Sequence, residues 1–165
     1  MMKTRVVDMD MDYLDEVLSI ERACFRDPWP CSAFVNELRH PWSRFRVAGL
    51  PADADRLRVL QGFIICWQLP GDLHLLNLAV EPRYRRMGTG SLMLLGALDE
   101  FAAAGGGLVN LEVRQSNLAA RKMYTAHGFA QVGCRPGYYR RQKEDAIVMT
   151  RKMSKAGGRR NRAGA

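Results

Sequence analysis

The 165-residue sequence predicts an α/β chain (an α+β mixed sheet), with the mixed β-sheet flanked by helices on both faces. Three observations lead there. Strand-like runs separated by short turns crowd residues 44–80, which implies antiparallel hairpins. Past residue 90 the pattern changes to helix, strand, helix. The strand LVNLEVR must therefore return beside LNLAV after a helical crossover, so that the central pair is parallel and the connection right-handed.

Each element has its own signal. KTRVVD (3–8) reads as a short first strand. In residues 11–24, Leu14, Val17, Leu18 and Cys24 recur near helical spacing with acids between them. DPWP (27–30) breaks the chain, SAFVNELRH (32–40) reads as a second helix, and Pro41 stops it. RFRVAG (44–49) and RLRVLQGFIICWQL (56–69) are strands linked by LPADAD. PGD (70–72) is a tight turn before the strand LHLLNLAV (73–80). SLMLLGALDEFAAA (91–104) sets Leu94, Leu98 and Phe101 on one helical face, and three glycines (105–107) end it. LVNLEVR (108–114) is a strand. SNLAARKMYTAH (116–127) is a helix with Ser116 or Asn117 as N-cap, and two strands near 129–136 and 145–152 complete the chain. No internal repeat is visible.

Composition narrows the function classes. A hydrophobic content of 47% with 25% charge describes an ordinary globular chain of one domain. No apolar run approaches the roughly 20 residues of a membrane span. The N-terminus turns acidic within eight residues without an apolar signal core, so the expected location is the cytoplasm and no membrane partner is expected. The four cysteines, Cys24, Cys31, Cys66 and Cys134, form no C-x-x-C pair; they are expected to be free and mostly buried, with no metal. His40, His74 and His127 lack metal-ligand spacing. The net charge of +8 belongs to the tail: residues 1–150 hold 19 basic and 17 acidic residues, and 151–165 hold six basic and none acidic. Residues 1–153 are thus expected as the domain. Residues 154–165 are expected as a disordered basic tail that either contacts RNA phosphate weakly or is simply solvated.

RYRRMGTGSL (83–92) is a glycine loop of the kind that admits phosphate. A Walker A loop is excluded because no G-K-[ST] follows. The dinucleotide fingerprint G-x-G-x-x-G fails at its third glycine, occupied by Met93, although Glu112 lies where a ribose-binding acid would. What remains is Arg85-x-x-Gly88-x-Gly90 opening a helix. Gly88 and Gly90 permit close approach, and the amides of residues 86–91 would face a pyrophosphate at the positive helix end. An ordinary glycine turn capping a helix reads the same way in isolation.

Taken together, LNLAVEPRYRRMGTGSLML, LEVRQSNLAARKMYTAHGF and GYYRRQKEDAIVM resemble the GNAT superfamily of acetyl-CoA-dependent N-acetyltransferases. Within it they are most similar to the RimI-type branch, which acetylates the N-terminal amine of a small-subunit ribosomal protein. The likeness is dense over 73–150; before that only IERACF…PW (20–29) shares it. The resemblance implies the GNAT fold with splayed central parallel strands. It also implies acetyl-CoA as donor, held at Leu78, Ala79 and Val80 along the pantetheine arm. Arg85, Arg86, Met87, Gly88, Thr89, Gly90 and Ser91 would hold the pyrophosphate, and Asn117 would also contact the donor. Glu112 would be the general base and Tyr124 the general acid. Trp29, Tyr138 and Tyr139, the last two followed by Arg140, Arg141 and Lys143, would meet the acceptor peptide.

The residues by themselves leave bland alternatives beside these roles. Glu112 alternates with Leu111 and Val113 and could face solvent; Tyr124 could be a core tyrosine; Asn117 could be a helix cap. The Tyr-Tyr pair, read as lying in a loop between strands, could cover the edge of the core. Pro30 stands where the family usually has Ser or Thr after Pro-Trp, so capping of the second helix is expected to pass to Ser32. The chemistry favours an N-terminal acceptor. At pH 7 an α-amine of pKa near 7.8 costs about 1 kcal/mol to deprotonate, and a lysine near 10.4 about 4.6 kcal/mol. The alternatives are a GNAT enzyme for lysine or a small amine, and a non-catalytic CoA-binding or RNA-associated module.

Overall fold

In the computed structural model, which describes residues 2–156, the element order is the one the sequence predicts. It runs β1 (Arg5–Asp8), α1 (Leu14–Cys24), α2 (Cys31–Arg39), β2 (Ser43–Pro51), β3 (Leu57–Leu69), β4 (Gly71–Val80), α3 (Thr89–Ala103), β5 (Gly107–Arg114), α4 (Leu118–Ala126), β6 (Ala130–Tyr139) and β7 (Glu144–Met153). The seven strands form one mixed sheet in the order β1-β2-β3-β4-β5-β7-β6. β1 with β2, β2 with β3, β5 with β7 and β6 with β7 are antiparallel. β4 and β5 are adjacent in that order, and α3 lies between them along the chain.

The described residues pack as two compact units, residues up to 68 with 74–97, and residues 69–73 with 98–156. In the first, the apolar stripe of α1 (Leu14, Val17, Ile20) meets Phe34 of α2 and Phe45, Phe63 and Ile65 of the sheet. Phe34 is fully buried and meets Phe63 edge-on at 5.6 Å. Met93, whose bulk argued against the dinucleotide fold, is absorbed differently. Its Cε lies 3.0 Å from where a Cβ on Gly62 would stand, so a strand glycine makes room for the helix residue.

In the second unit, Val109, Leu111 and Val113 bury one face of β5, and Leu98, Phe101, Phe129, Ile147 and Met149 are buried with them. Gly107 sits at φ 137°, and a Cβ there would lie 2.2 Å from the Gly71 carbonyl oxygen; only glycine lets the two strand starts approach so closely.

Two expectations are corrected. Helix α2 opens at Cys31, not at Ser32, and Pro30 is its N-cap residue with no side-chain bond. Pro30 supplies extended geometry (φ −70°, ψ 156°), and its carbonyl accepts the Ala33 N–H at 3.0 Å, so no serine cap is needed. The cysteines are all free but not mostly buried: only Cys66 is, whereas Cys31 and Cys134 are exposed and Cys24 is intermediate. Cys31 opens a helix and Cys134 lies in β6, an outermost strand exposed along most of its length. Of the basic tail, residues 154–156 are described, and the Ala156 N–H donates to the Ala102 carbonyl at 3.0 Å; the remainder lies outside the described residues.

Candidate active site

The first unit carries the glycine loop. After β4, a single turn (Pro82–Tyr84) leads through exposed residues 85–88 into the fifteen-residue α3. Arg86 and Gly88 both have left-handed backbones (φ 62° and 83°), and nothing lies within 4 Å of a Cβ placed on Gly88. The loop therefore presents open backbone at the positive end of a long helix. Thr89 is buried, Gly90 and Ser91 are partly buried, and Met87 is 70% exposed.

Arg85 turns back onto its own strand. Its Nε donates to the Val80 carbonyl at 3.3 Å and its Nη2 to the Cys24 Sγ at 3.5 Å. Cys24 Sγ donates to the same carbonyl at 3.3 Å. The last carbonyl of β4 is thus taken by side chains. Burial pushes the Cys24 thiol up, against the opposing pull of Arg85. Along β4, Ala79 is buried, and Leu78 and Val80 are half-buried on the alternate face.

Beneath the Asp27–Pro30 break lies a residue the sequence did not single out. Glu21, 1% exposed, accepts the Trp29 N–H on Oε1 and the Asn77 Nδ2–H on Oε2, each at 3.0 Å. Burial raises its pKa above the ordinary value, more than these two hydrogen bonds lower it. The carboxyl thus ties Trp29, whose ring lies 5.6 Å from Phe34, to β4. Its local signal is an acidic residue next to Ile20 and four residues after Val17, on the buried stripe of α1.

The second unit holds the predicted acid and base. Glu112 is not left to solvent: its side chain is 15% exposed, and its Oε1 lies 3.7 Å from Arg135 Nη1. Next along the same face of β5, Arg114 lies 4.1 Å from the Tyr139 ring centroid, donates to Gln142 at 2.9 Å and sits 3.9 Å from Glu144. Arg135 in turn stands 5.6 Å from the Tyr138 ring. Tyr138 and Tyr139 end strand β6, where a loop was expected, because an irregularity between Arg135 and Tyr139 lets the strand resume pairing at Glu144. Tyr139 is half-buried and its phenol is pushed up by burial, whereas Tyr138 is 48% exposed. Neither Arg114 nor Arg135 was anticipated as part of this cluster; sheet register, not spacing, brings them in.

Tyr124 is 6% exposed, its ring 5.7 Å from Phe129 and steeply inclined to it. Asn117 caps α4, its Oδ1 accepting the Ala120 N–H at 3.2 Å. His127 closes the helix with Nδ1–H donating to Met123 O at 2.8 Å, and Arg151 donates to the His127 carbonyl. Among the described residues no group of three or more His, Cys, Asp or Glu could hold a metal ion, and no helix is long and apolar enough to cross a membrane.

Comparison with known proteins agrees with this architecture. A putative ribosomal protein bS18-alanine N-acetyltransferase of Bacillus subtilis is 30% identical over 148 residues, 89% of this chain and 94% of that protein. The N-alpha-acetyltransferase RimI of Mycobacterium tuberculosis is 36% identical over 129 residues, 76% of each chain. The crystal structure of the ribosomal-protein-S18-alanine N-acetyltransferase from Escherichia coli superposes with a TM-score of 0.80 at 26% identity, covering 95% of this chain and 98% of that one. The acetyltransferase (GNAT) family model matches residues 14–129, and with it the chain is shown to be an acyltransferase belonging to the GNAT family.

Proposed function

We propose that this enzyme transfers acetyl from acetyl-CoA to the N-terminal α-amine of a protein, of the ribosomal-protein alanine type, in the cytoplasm. The observation that carries the reading is Glu112: a half-buried carboxylate in a sheet, with two arginine-backed tyrosines beside it at the end of β6. The relatives named for bS18-alanine acetylation, aligned over nearly their whole length, support the acceptor class.

The loop fits the donor. Open backbone at 85–88, left-handed turns at Arg86 and Gly88 and the empty space over Gly88 suit a pyrophosphate, with Thr89, Gly90 and Ser91 opening the helix beneath it. In this reading the backbone of Leu78, Ala79 and Val80 lines the pantetheine arm, and Asn117 adds a contact while capping α4. When bound, acetyl-CoA supplies an acetyl group activated as a thioester.

The chain's own residues then manage protons and position. Trp29, Tyr138 and Tyr139 hold the acceptor's first residues. A Glu112 carboxylate oxygen takes the proton that the attacking amine must lose, directly or through one water. The Tyr124 hydroxyl gives a proton to the departing sulfur. An α-amine demands about 1 kcal/mol of deprotonation at pH 7, well within the reach of a carboxylate base. The domain is residues 1–153, and the charge of 154–165 holds the enzyme weakly near RNA phosphate.

The test is CoA release with short peptides having free N-terminal Ala, Ser or Met, the same peptides blocked, and peptides whose only amine is lysine. Turnover confined to free N-termini, and reduced at least about 100-fold in Glu112→Gln, is expected. Turnover on lysine alone would overturn the acceptor assignment.

A further inference from the structure

From the two hydrogen bonds of its buried carboxylate we infer that Glu21 is a positioning residue for the acceptor, fixing the backbone of Trp29 to strand β4. The inference rests on the acceptor reading above, in which Trp29 holds the acceptor's first residues.

The composition of the segment leaves few ways to hold it. In DPWP (27–30), Pro28 and Pro30 have no backbone N–H, so within residues 28–30 the Trp29 N–H is the only main-chain donor. Asp27 and Trp29 each precede a proline, which disfavours helical backbone and the internal bonds a helix would bring. The one donor goes to Glu21, whose Oε1 accepts it at 3.0 Å across eight residues. The Trp29 ring is held separately, 5.6 Å from Phe34 and tilted by 41°. Apolar packing is non-directional and lets a ring slide with its main chain. A hydrogen bond of fixed length and direction sets where that main chain stands.

Glu21 is itself anchored. Its Oε2 accepts the Asn77 Nδ2–H at 3.0 Å, and Asn77 is buried on the face of β4 that also buries Ala79. Three residues further along both elements, Cys24 Sγ donates to the Val80 carbonyl at 3.3 Å, which Arg85 also bonds. The last turn of α1 therefore meets β4 at two points, which flank Leu78 and Ala79. Both oxygens of Glu21 accept, as those of an ionised carboxylate do. Without this carboxylate the Trp29 main chain loses its tie to the strand. The second tie, from Cys24 to Val80, still holds β4 and the start of the glycine loop. The loss therefore falls on acceptor docking, and so on KM for the peptide, with donor binding preserved.

Glu37 offers a matched comparison. It is also buried, and its Oε2 accepts the Ser43 hydroxyl and the Trp67 Nε1–H, both at 2.8 Å. It lies near the end of α2 remote from Pro30, so its loss removes as many bonds without touching the Trp29 main chain.

The experiment measures CoA release with peptides of free N-terminal Ala, Ser or Met, and calorimetric Kd for acetyl-CoA. It compares the parent with Glu21→Leu, Glu21→Gln, Glu37→Leu and the double variant Glu21→Gln, Asn77→Asp, each below its own thermal unfolding. Glu21→Leu should raise peptide KM roughly tenfold, the worth of a hydrogen bond to a charged group, with kcat within about threefold and Kd within about twofold. In Glu21→Gln the single amide oxygen serves one donor, so KM rises less. In the double variant that oxygen takes the Trp29 N–H while the amide N–H donates to the introduced carboxylate, and KM returns toward the parent value. Glu37→Leu should lose stability at unchanged KM. Where Glu21→Leu does not fold, Glu21→Gln and the double variant make the same comparison. Unchanged peptide KM in the Glu21 variants, or an equal rise in Glu37→Leu, overturns the inference and leaves Glu21 a residue of stability alone. A Kd for acetyl-CoA that rises in step with KM overturns it too, because the effect then lies on the donor strand. Both results leave N-terminal acetylation by the parent standing. Absence of turnover by the parent on every peptide removes the acceptor reading, and this inference with it.

Discussion

Replacing Glu21 with leucine tests whether the buried carboxyl holds the Trp29 segment in place. The two side chains are similar in size, so little cavity is created. What is lost is the acceptor for the part-buried Trp29 N–H and the buried Asn77 Nδ2–H, each bonded at 3.0 Å. An orphaned donor costs about 1–3 kcal/mol, so losing the acceptor of two should destabilise the Glu21→Leu protein by about 2–6 kcal/mol at pH 7. Relief of the carboxylate's own desolvation keeps the figure toward the lower end. Urea unfolding followed by tryptophan fluorescence measures it, and a change under about 0.5 kcal/mol would refute the reasoning. A pH series adds a sign. Burial raises the Glu21 pKa above 4.5, so the folded state binds its proton more tightly than the unfolded chain. That stability is fully present below about 4.5 and is lost as pH rises through the folded-state value. Relative to Glu21→Gln, which does not titrate, the parent should therefore lose ground as pH rises from 4 through this range and then level off. A constant difference would mean that the carboxyl titrates as it does in water.

Tyr124→Phe keeps the ring against Phe129 but removes the candidate proton donor; kcat should fall roughly 10–100-fold with KM for the peptide little changed, read in the same CoA-release assay. Gly88→Ala places a Cβ in the open space of the loop at φ 83°, a conformation costing an L-residue about 1–2 kcal/mol; calorimetric Kd for acetyl-CoA should rise at least about tenfold. Asn117→Ala removes the α4 cap and should cost about 1 kcal/mol in urea unfolding.

What the sequence by itself determined is what depends on neighbours along the chain. Apolar periodicity set the order of helices and strands. The glycine run 105–107 ended α3, Ser116 or Asn117 was marked as the cap of α4, and Gly88 was marked as a turn at the start of α3. Each of these is a property of a few consecutive residues, so local sterics and hydrogen bonding suffice to read it.

The tertiary structure alone decided which side chains meet. Asn77 reaches Glu21 across 56 residues, and Cys24 reaches across 56 residues to the Val80 carbonyl that Arg85 also bonds. Glu112, which alternation left undecided between base and solvent, lies half-buried beside Arg135 because β5 pairs with β7 and β7 with β6 in a particular register. An irregularity in β6 then turns an expected loop into the strand end that sets Tyr139 over Arg114. Register and burial belong to the folded sheet as a whole. A one-residue slip would move each of these side chains to the opposite face, and no local spacing in the sequence records which register wins.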